Sequence, residues 1–263
     1  MLDFGHNSGL KIAPPDFSDK INEAIDKGII ARRAREPRRD YLGASLLGDP
    51  CARRLVYTLM GVEPDEPFTA RTLRIFDIGH GMEDFVAEQF GLGEEAVFKS
   101  AAARWFLDAG FKLLTRNKSG DQFRWKALDG RMSGAIDGVF IDGPAIETLN
   151  YPAIWESKAL NKKNWSKMKK HGVKIGSELY HGQLQINMAY LDVFQSVFTC
   201  VNKDTQEVSH ELVEFDPAVA QRLSDRGLEV ITMASKGELP DRIASQPDYF
   251  VCKMCSYRGR CWQ

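Results

Sequence analysis

Apolar residues recur at helical spacing through the first part of the chain. The pattern predicts a helix from Ser18 to about Arg35, ending in the basic stretch ARRAREPRRD. A second helix is expected over Ser45–Met60, stopped by Gly61, Pro64 and Pro67. A third runs from about Thr69 to Phe90 and places Leu73, Phe76, Met82, Phe85, Val86 and Phe90 near one face. A fourth covers about Glu94–Ala109 and ends at Gly110. The period then changes. Phe111–Thr115, Phe123–Leu128, Met132–Ile141 and Ala153–Ala159 read as short strands separated by Gly, Asp and Asn turns. A helix over about Ser177–Asp192 follows, then strands at Gln195–Val201 and Glu207–Phe215. Asp216 is placed to cap a helix over Pro217–Ser235, with Pro217 at the favoured first position. Helices, then strands, then helices predict an α/β fold: a central mixed sheet flanked by helices. No repeat is visible. Residues 1–42 read as an irregular segment and a basic helix, and 43–263 as one domain with a loop-like tail from Glu238.

Composition narrows this picture. With 43% apolar and 27% charged residues in 263, the chain is of the globular class. Lys+Arg 35 against Asp+Glu 36 excludes a histone-like protein that holds DNA by bulk charge, while leaving room for a local basic groove. No apolar run approaches the roughly 18 residues of a membrane span, and the N-terminus lacks a signal pattern. A cytoplasmic protein with no membrane partner is therefore expected. Five cysteines without an export signal argue against a disulfide framework. Cys252, Cys255 and Cys261 crowd the tail, and clustered thiols in a reducing compartment more often bind metal.

Asp137 lies in a predicted strand beside a turn, and Glu156 and Lys158 lie in the next strand, Ile154-Trp155-Glu156-Ser157-Lys158. Alternation puts Glu156 and Lys158 on one face. If the strands pair, Asp137 comes beside Glu156, and two such carboxylates make a hard oxygen site suited to Mg²⁺ or Mn²⁺. A lysine two residues on reaches a water or phosphate oxygen there, which is the set that phosphodiester hydrolysis needs. An isolated E-x-K is far more often a solvated pair, so its company matters. His80 shares a helix face with Glu83 and Asp84 and is a candidate third ligand. Downstream, Gln183, Asn187 and Tyr190 fall on one helical face. Gln185 lies about 200° from Gln183, so both cannot serve one site.

His80, Asp137, Glu156-x-Lys158 and the Gln183 helix, in that order, resemble the PD-(D/E)xK nuclease superfamily. They are more specifically similar to its RecB-like branch, which includes phage recombination exonucleases and CRISPR-associated RecB-type exonucleases. Cys51 with the Cys252-x2-Cys255-x5-Cys261 tail looks like the iron–sulfur form of these nucleases. Ile136 stands at the family's Pro position, and Asn187 at the Tyr position of its Q-x-x-x-Y motif, with Gln185 or Tyr190 as substitutes for Gln183. The resemblance spans roughly residues 43 to 261. It implies a restriction-endonuclease-like core whose two ends are joined by a metal cluster. Asp137, Glu156 and His80 would be Mg²⁺ or Mn²⁺ ligands, Lys158 the catalytic lysine, Gln183 a positioning residue, and Cys51, Cys252, Cys255 and Cys261 the ligands of a 4Fe–4S cluster.

The implied activity is exonucleolytic hydrolysis of DNA, at single-stranded ends. The rival is a catalytically silent nuclease fold that binds nucleic acid or regulates a partner. Four thiolates hold Zn²⁺ as readily as a 4Fe–4S cluster, so spacing leaves the two open. Either would staple segments about 200 positions apart and make metal binding part of folding. Cys200 reads as a buried core thiol. Candidate DNA contacts are Arg53 and Arg54 beside Cys51, Lys162 and Lys163 after the E-x-K strand, Trp165 among those lysines, and Tyr190. The lysine run reads equally as a solvated face. No P-loop is present, so any ATP-driven unwinding must come from a partner such as a helicase, a recombinase or a CRISPR adaptation protein.

Overall fold

Among the described residues, two sheets are built from eight short strands, and their junction decides where the acidic residues lie. The computed structural model describes residues 17–90, 106–146 and 148–263. Strands β1 (Leu42–Gly43), β4 (Met132–Ala135) and β3 (Arg124–Ala127) form the smaller sheet in that order. β1 is parallel to β4, and β3 antiparallel to it. The larger sheet has the order β2 (Lys112–Leu114), β5 (Gly138–Asp142), β6 (Ala153–Leu160), β7 (Gln195–Asn202), β8 (Val208–Glu214). Only β6 and β7 run parallel there; the other pairs are antiparallel. This is the α/β architecture with mixed strands flanked by helices that the order of elements predicts.

The single strand expected over Met132–Ile141 is two strands in two different sheets. β4 ends at Ala135, Ile136 donates its N–H to Phe123 O at 3.2 Å, and the chain re-enters pairing only at Gly138. Asp137 occupies the switch. Gly134 permits it, because a Cβ there would stand 2.3 Å from Trp125 Nε1 and 2.5 Å from Asn187 Oδ1.

Helices α1 (Phe17–Ala34) and α4 (Ala70–Gln89) match their predicted spans closely. The helix expected over Ser45–Met60 is broken into α2 (Ala44–Leu47) and α3 (Ala52–Leu59). Gly48, Asp49 and Pro50 interrupt it: Asp49 Oδ1 accepts the Cys51 N–H at 2.8 Å, an Asx turn that places Cys51 at the start of α3. Gly48 also lies against Leu179, where a Cβ would come within 2.7 Å of the Leu179 Cα. A helix absent from the sequence reading, α5 (Lys162–Gly176), follows β6. Asn161 caps it through the Asn164 N–H. α6 (Glu178–Leu191) and α7 (Pro217–Lys236) appear where expected, α7 capped by Asp216 as its sequence predicts. Two short turns, α8 (Phe250–Lys253) and α9 (Arg258–Cys261), organise the tail that reads as a loop. Of the helix expected over Glu94–Ala109, only residues 106–109 are described, and 106–108 are helical. Residues 1–16, expected to be irregular, lie outside the described part.

The described part of Met1–Pro37 joins Phe68–Phe76 in one compact unit, and Arg38–Pro67 joins Asp77–Gln263 in another. In the first, Arg74 pairs with Asp26, while Phe17, Ile21 and Ile25 of α1 are exposed. The second holds three apolar clusters. One packs Trp165, Met168 and Val173 of α5 and Leu184 and Met188 of α6 on Ile154 and Phe198 of the large sheet. A second joins α2, α3 and α7 to Trp125 and Met132 of the small sheet. The third packs Val86 and Ala87 of α4 on Phe140 and Trp155. No helix among the described residues is long and apolar enough to cross a membrane.

Candidate active site

Register brings the two carboxylates together. Gly138 pairs with Trp155, so the antiparallel ladder sets Asp137 opposite Glu156. Asp137 Oδ2 accepts the Ser157 N–H at 2.8 Å and takes the place of a ladder acceptor where the strand switches sheets. Glu156 is 1% exposed. Its Oε1 accepts hydrogen bonds from Lys158 Nζ and from Gln183 Nε2, the latter at 2.6 Å. Its Oε2 is buried and without a hydrogen-bond partner among the described residues. Lys158 also donates to Ser157 O at 3.3 Å and lies 5.7 Å from the Tyr180 ring centroid.

Electrostatics follow from this crowding. Burial and the facing Asp137 push the Glu156 carboxyl up to about 7, while Lys158 and Gln183 partly offset the rise. Burial works against the Lys158 ammonium, but Glu156 and Asp137 outweigh it and hold the group above its ordinary value. Glu83 of α4 belongs to the same set. Burial, then Asp137 and Glu156, push it up to about 8. Glu83, Asp84, Asp137 and Trp155 line one cavity of about 330 Å³, together with Arg116, Thr115 and Gln122.

The sequence points to His80 as the third ligand, whereas the structure puts Glu83, one turn on, beside Asp137. His80 is exposed and does not line the cavity that holds Asp137. The signal was at hand: Glu83 lies at i+3 from His80 on the same helix face, and only packing of Val86 and Ala87 on the sheet decides which turn faces the carboxylates. Of the two glutamines, Gln183 is the one that contacts Glu156. Gln185 is fully buried elsewhere, donating to Glu214 O at 2.9 Å and accepting from Asp216 N at 2.7 Å. Asn187 is a structural bolt. It accepts from Trp125 Nε1 at 2.8 Å and donates to Ala135 O at 3.3 Å, so it ties the small sheet to α6.

Several expected DNA contacts are corrected. Trp165 is 5% exposed and its indole N–H donates to Cys200 O, so it is a core residue with no face left for a base. Tyr190 stacks on Trp125 at 4.2 Å between centroids and its hydroxyl meets Ser224, so its ring is likewise engaged inside the protein. Arg54 is paired with buried Asp49. Arg53 donates from Nε to Pro240 O at 2.7 Å, and its Nη1 stands 3.9 Å from Cys261 Sγ. Both arginines thus brace the cysteine region. Lys162 and Lys163 remain exposed, on the polar face of α5.

Cys51, Cys252, Cys255 and Cys261 line a single small pocket with Arg53, Arg242, Arg258 and Trp262. Burial raises the Cys51 thiol, and Cys255 and Cys261 add to the rise. The tail is held there by protein contacts. Asp65 accepts the Gly259 and Arg260 N–H groups, Arg242 donates to Cys261 O at 2.9 Å, and Tyr257 packs on Tyr57. Cys200 lies apart in the core, where burial pushes its thiol up to about 12. Among the described residues, no three His, Cys, Asp or Glu side chains stand at metal-ligand spacing. Both groups are therefore neighbourhoods of suitable donors and not closed coordination shells.

No protein-family model and no curated protein matches the chain. Solved structures resemble it in outline. SSO0001 gives a TM-score of 0.48 at 13% identity, covering 92% of this chain and 96% of its own. An alkaline exonuclease from Laribacter hongkongensis gives 0.48 at 16%, covering 80% and 93%. The same exonuclease in complex with dAMP gives 0.47 at 17%, covering 76% and 90%. At such scores the function has to be argued from the site.

Proposed function

We propose that the chain is a Mg²⁺- or Mn²⁺-dependent deoxyribonuclease that hydrolyses phosphodiester bonds at single-stranded DNA ends. One observation carries the reading. Asp137 and Glu156 face each other across adjacent strands, with Lys158 and Gln183 both on one oxygen of Glu156 and the other oxygen buried without a partner. An orphaned buried carboxylate oxygen beside a second carboxylate fits a hard divalent cation. Asp137, Glu156 and Glu83 would hold it, and the ion would neutralise phosphate charge and acidify a water. Lys158 donates to a phosphate oxygen or to the incoming water. Gln183 fixes the Glu156 carboxylate, and Tyr180 packs beside the lysine. The preference for single-stranded ends rests on the resemblance to RecB-like nucleases.

The cysteine pocket is read as a 4Fe–4S site, with Zn²⁺ as its alternative. Four thiols from both ends of the domain around one cavity are the donors either group requires. End-labelled single-stranded DNA with Mg²⁺ or Mn²⁺ tests the activity. Cleavage by wild type that is lost in both Asp137→Ala and Lys158→Ala is expected. Its absence from metal-loaded wild type, or its survival in both variants, overturns the nuclease reading and favours a silent binding protein. Brown colour on anaerobic purification is expected for the cluster, whereas a colourless, zinc-loaded protein gives the site to Zn²⁺.

A further inference from the structure

The cavity beside Asp137 has an acidic wall and a second wall that the hydrolytic reading leaves without a task. The acidic wall is Glu83, Asp84 and Asp137. The other is the stretch leaving β2, with Leu113, Leu114, Thr115 and Arg116, joined by Gln122 before β3. Among the described residues, Arg116 has no hydrogen-bond or ion-pair partner, although three carboxylates line the same cavity. A guanidinium that lines an acidic cavity and pairs with none of its acids is free to take an anion in a bidentate fork. Thr115 and Gln122 add neutral donors on the same side. Leu113, Leu114 and Ala87 supply an apolar surface against which a base or sugar can pack. The volume of about 330 Å³ is on the scale of a single small-molecule site, not of a duplex.

We infer that Arg116 binds a DNA phosphate adjacent to the one being cut, so that the cavity holds the single nucleotide between the two. The inference rests on the nuclease reading and adds a positioning residue to it. Adjacent phosphates of one strand are a single nucleotide apart, so a group that holds one sets the position of the other. Holding it would fix which phosphate reaches Asp137 and Glu156.

The test crosses Arg116→Ala with substrates carrying a neutral methylphosphonate at the phosphate on either side of the labelled cleavage position. With unmodified single-stranded DNA and Mn²⁺, Arg116→Ala should raise KM about tenfold, the size of one charge-assisted contact, with kcat changed less than about threefold. Arg116→Lys should recover part of the loss. At one of the two flanking positions the methylphosphonate should weaken wild type to a similar extent and leave Arg116→Ala almost unaffected. Additive losses at both positions, or an unchanged KM in Arg116→Ala, overturn the assignment while wild type still cleaves. Failure of wild type to cleave any substrate overturns the nuclease reading instead, so the two outcomes are distinct.

Discussion

The carboxylate site and the cysteine pocket are both clusters of polar groups, yet they are built in opposite ways. Asp137, Glu156 and Lys158 lie within 22 positions of one another and are aligned by the ladder between β5 and β6. Their surroundings are Trp155, Ile154 and Phe198, all below 2% exposure. Cys51 and the tail cysteines lie about 200 positions apart and meet because Asp65, Arg53, Arg242 and Tyr257 hold α8 and α9 against α3. A strand register cannot be perturbed locally without moving every side chain on it. A docked tail can be loosened one contact at a time. The acidic site should therefore survive damage at the pocket better than the pocket survives damage to its own contacts.

The sharpest break in that comparison is catalytic. Asp137→Asn should reduce cleavage of single-stranded DNA by about 10³-fold while the far-ultraviolet circular dichroism stays native, since the amide can still accept the Ser157 N–H. A collapse of the spectrum would mean that Asp137 is chiefly a structural cap. Next in size, Cys252→Ser with Cys255→Ser should abolish bound metal and visible absorbance and lower Tm by several degrees, about 2–4 kcal/mol of lost tethering. Residual nuclease activity at 20 °C should remain. Complete loss of activity together with loss of secondary structure would show that the two sites are one folding unit.

The acidic site also predicts a pH dependence below the range in which the pocket's Cys51 thiol titrates. Glu156 at about 7 and Glu83 at about 8 both lie above their unfolded values. Between pH 4.5 and 8 the native state then binds more protons than the unfolded chain. Stability from these groups is complete below about pH 4.5 and is lost as pH rises through their folded values. Tm measured in EDTA should fall from pH 5.5 to 8.5, and Mn²⁺ should restore most of the difference. A Tm that rises over this interval in EDTA would contradict the crowded-carboxylate geometry. The smallest effect is expected from Asp65→Ala. It should cost about 1 kcal/mol and speed amide exchange at Gly259 and Arg260, leaving nuclease activity within about twofold.

Much of the acidic site was legible because its chemistry is local. Glu156 and Lys158 share a strand face by alternation alone, and Gln183 is separated from Gln185 by helix geometry. On the adjacent helix, periodicity aligns His80 and Glu83 on one face and cannot say which turn abuts the sheet; packing puts Glu83 and not His80 on the cavity. The basic stretch after Lys158 hid α5, whose apolar stripe of Trp165, Met168 and Val173 is diluted by six lysines on its solvent side. Trp165 looked like a stacking residue for that reason. Tyr190 and Arg53 are engaged within the protein by partners distant in sequence, which local pattern does not reveal.

By itself, the sequence determined the succession of helices, strands and helices, the sharing of one face by Glu156 and Lys158, and the kinship of four cysteines as against Cys200. Periods of two and 3.6 residues are local properties of the backbone, and they are written in neighbouring residues. Tertiary structure alone decided that Met132–Ile141 divides between two sheets with Asp137 at the switch, that Glu83 and not His80 lines its cavity, and that Arg116 lines the same cavity with no partner among the described residues. Those outcomes depend on which surfaces bury each other, and burial is settled by contacts between residues far apart along the chain.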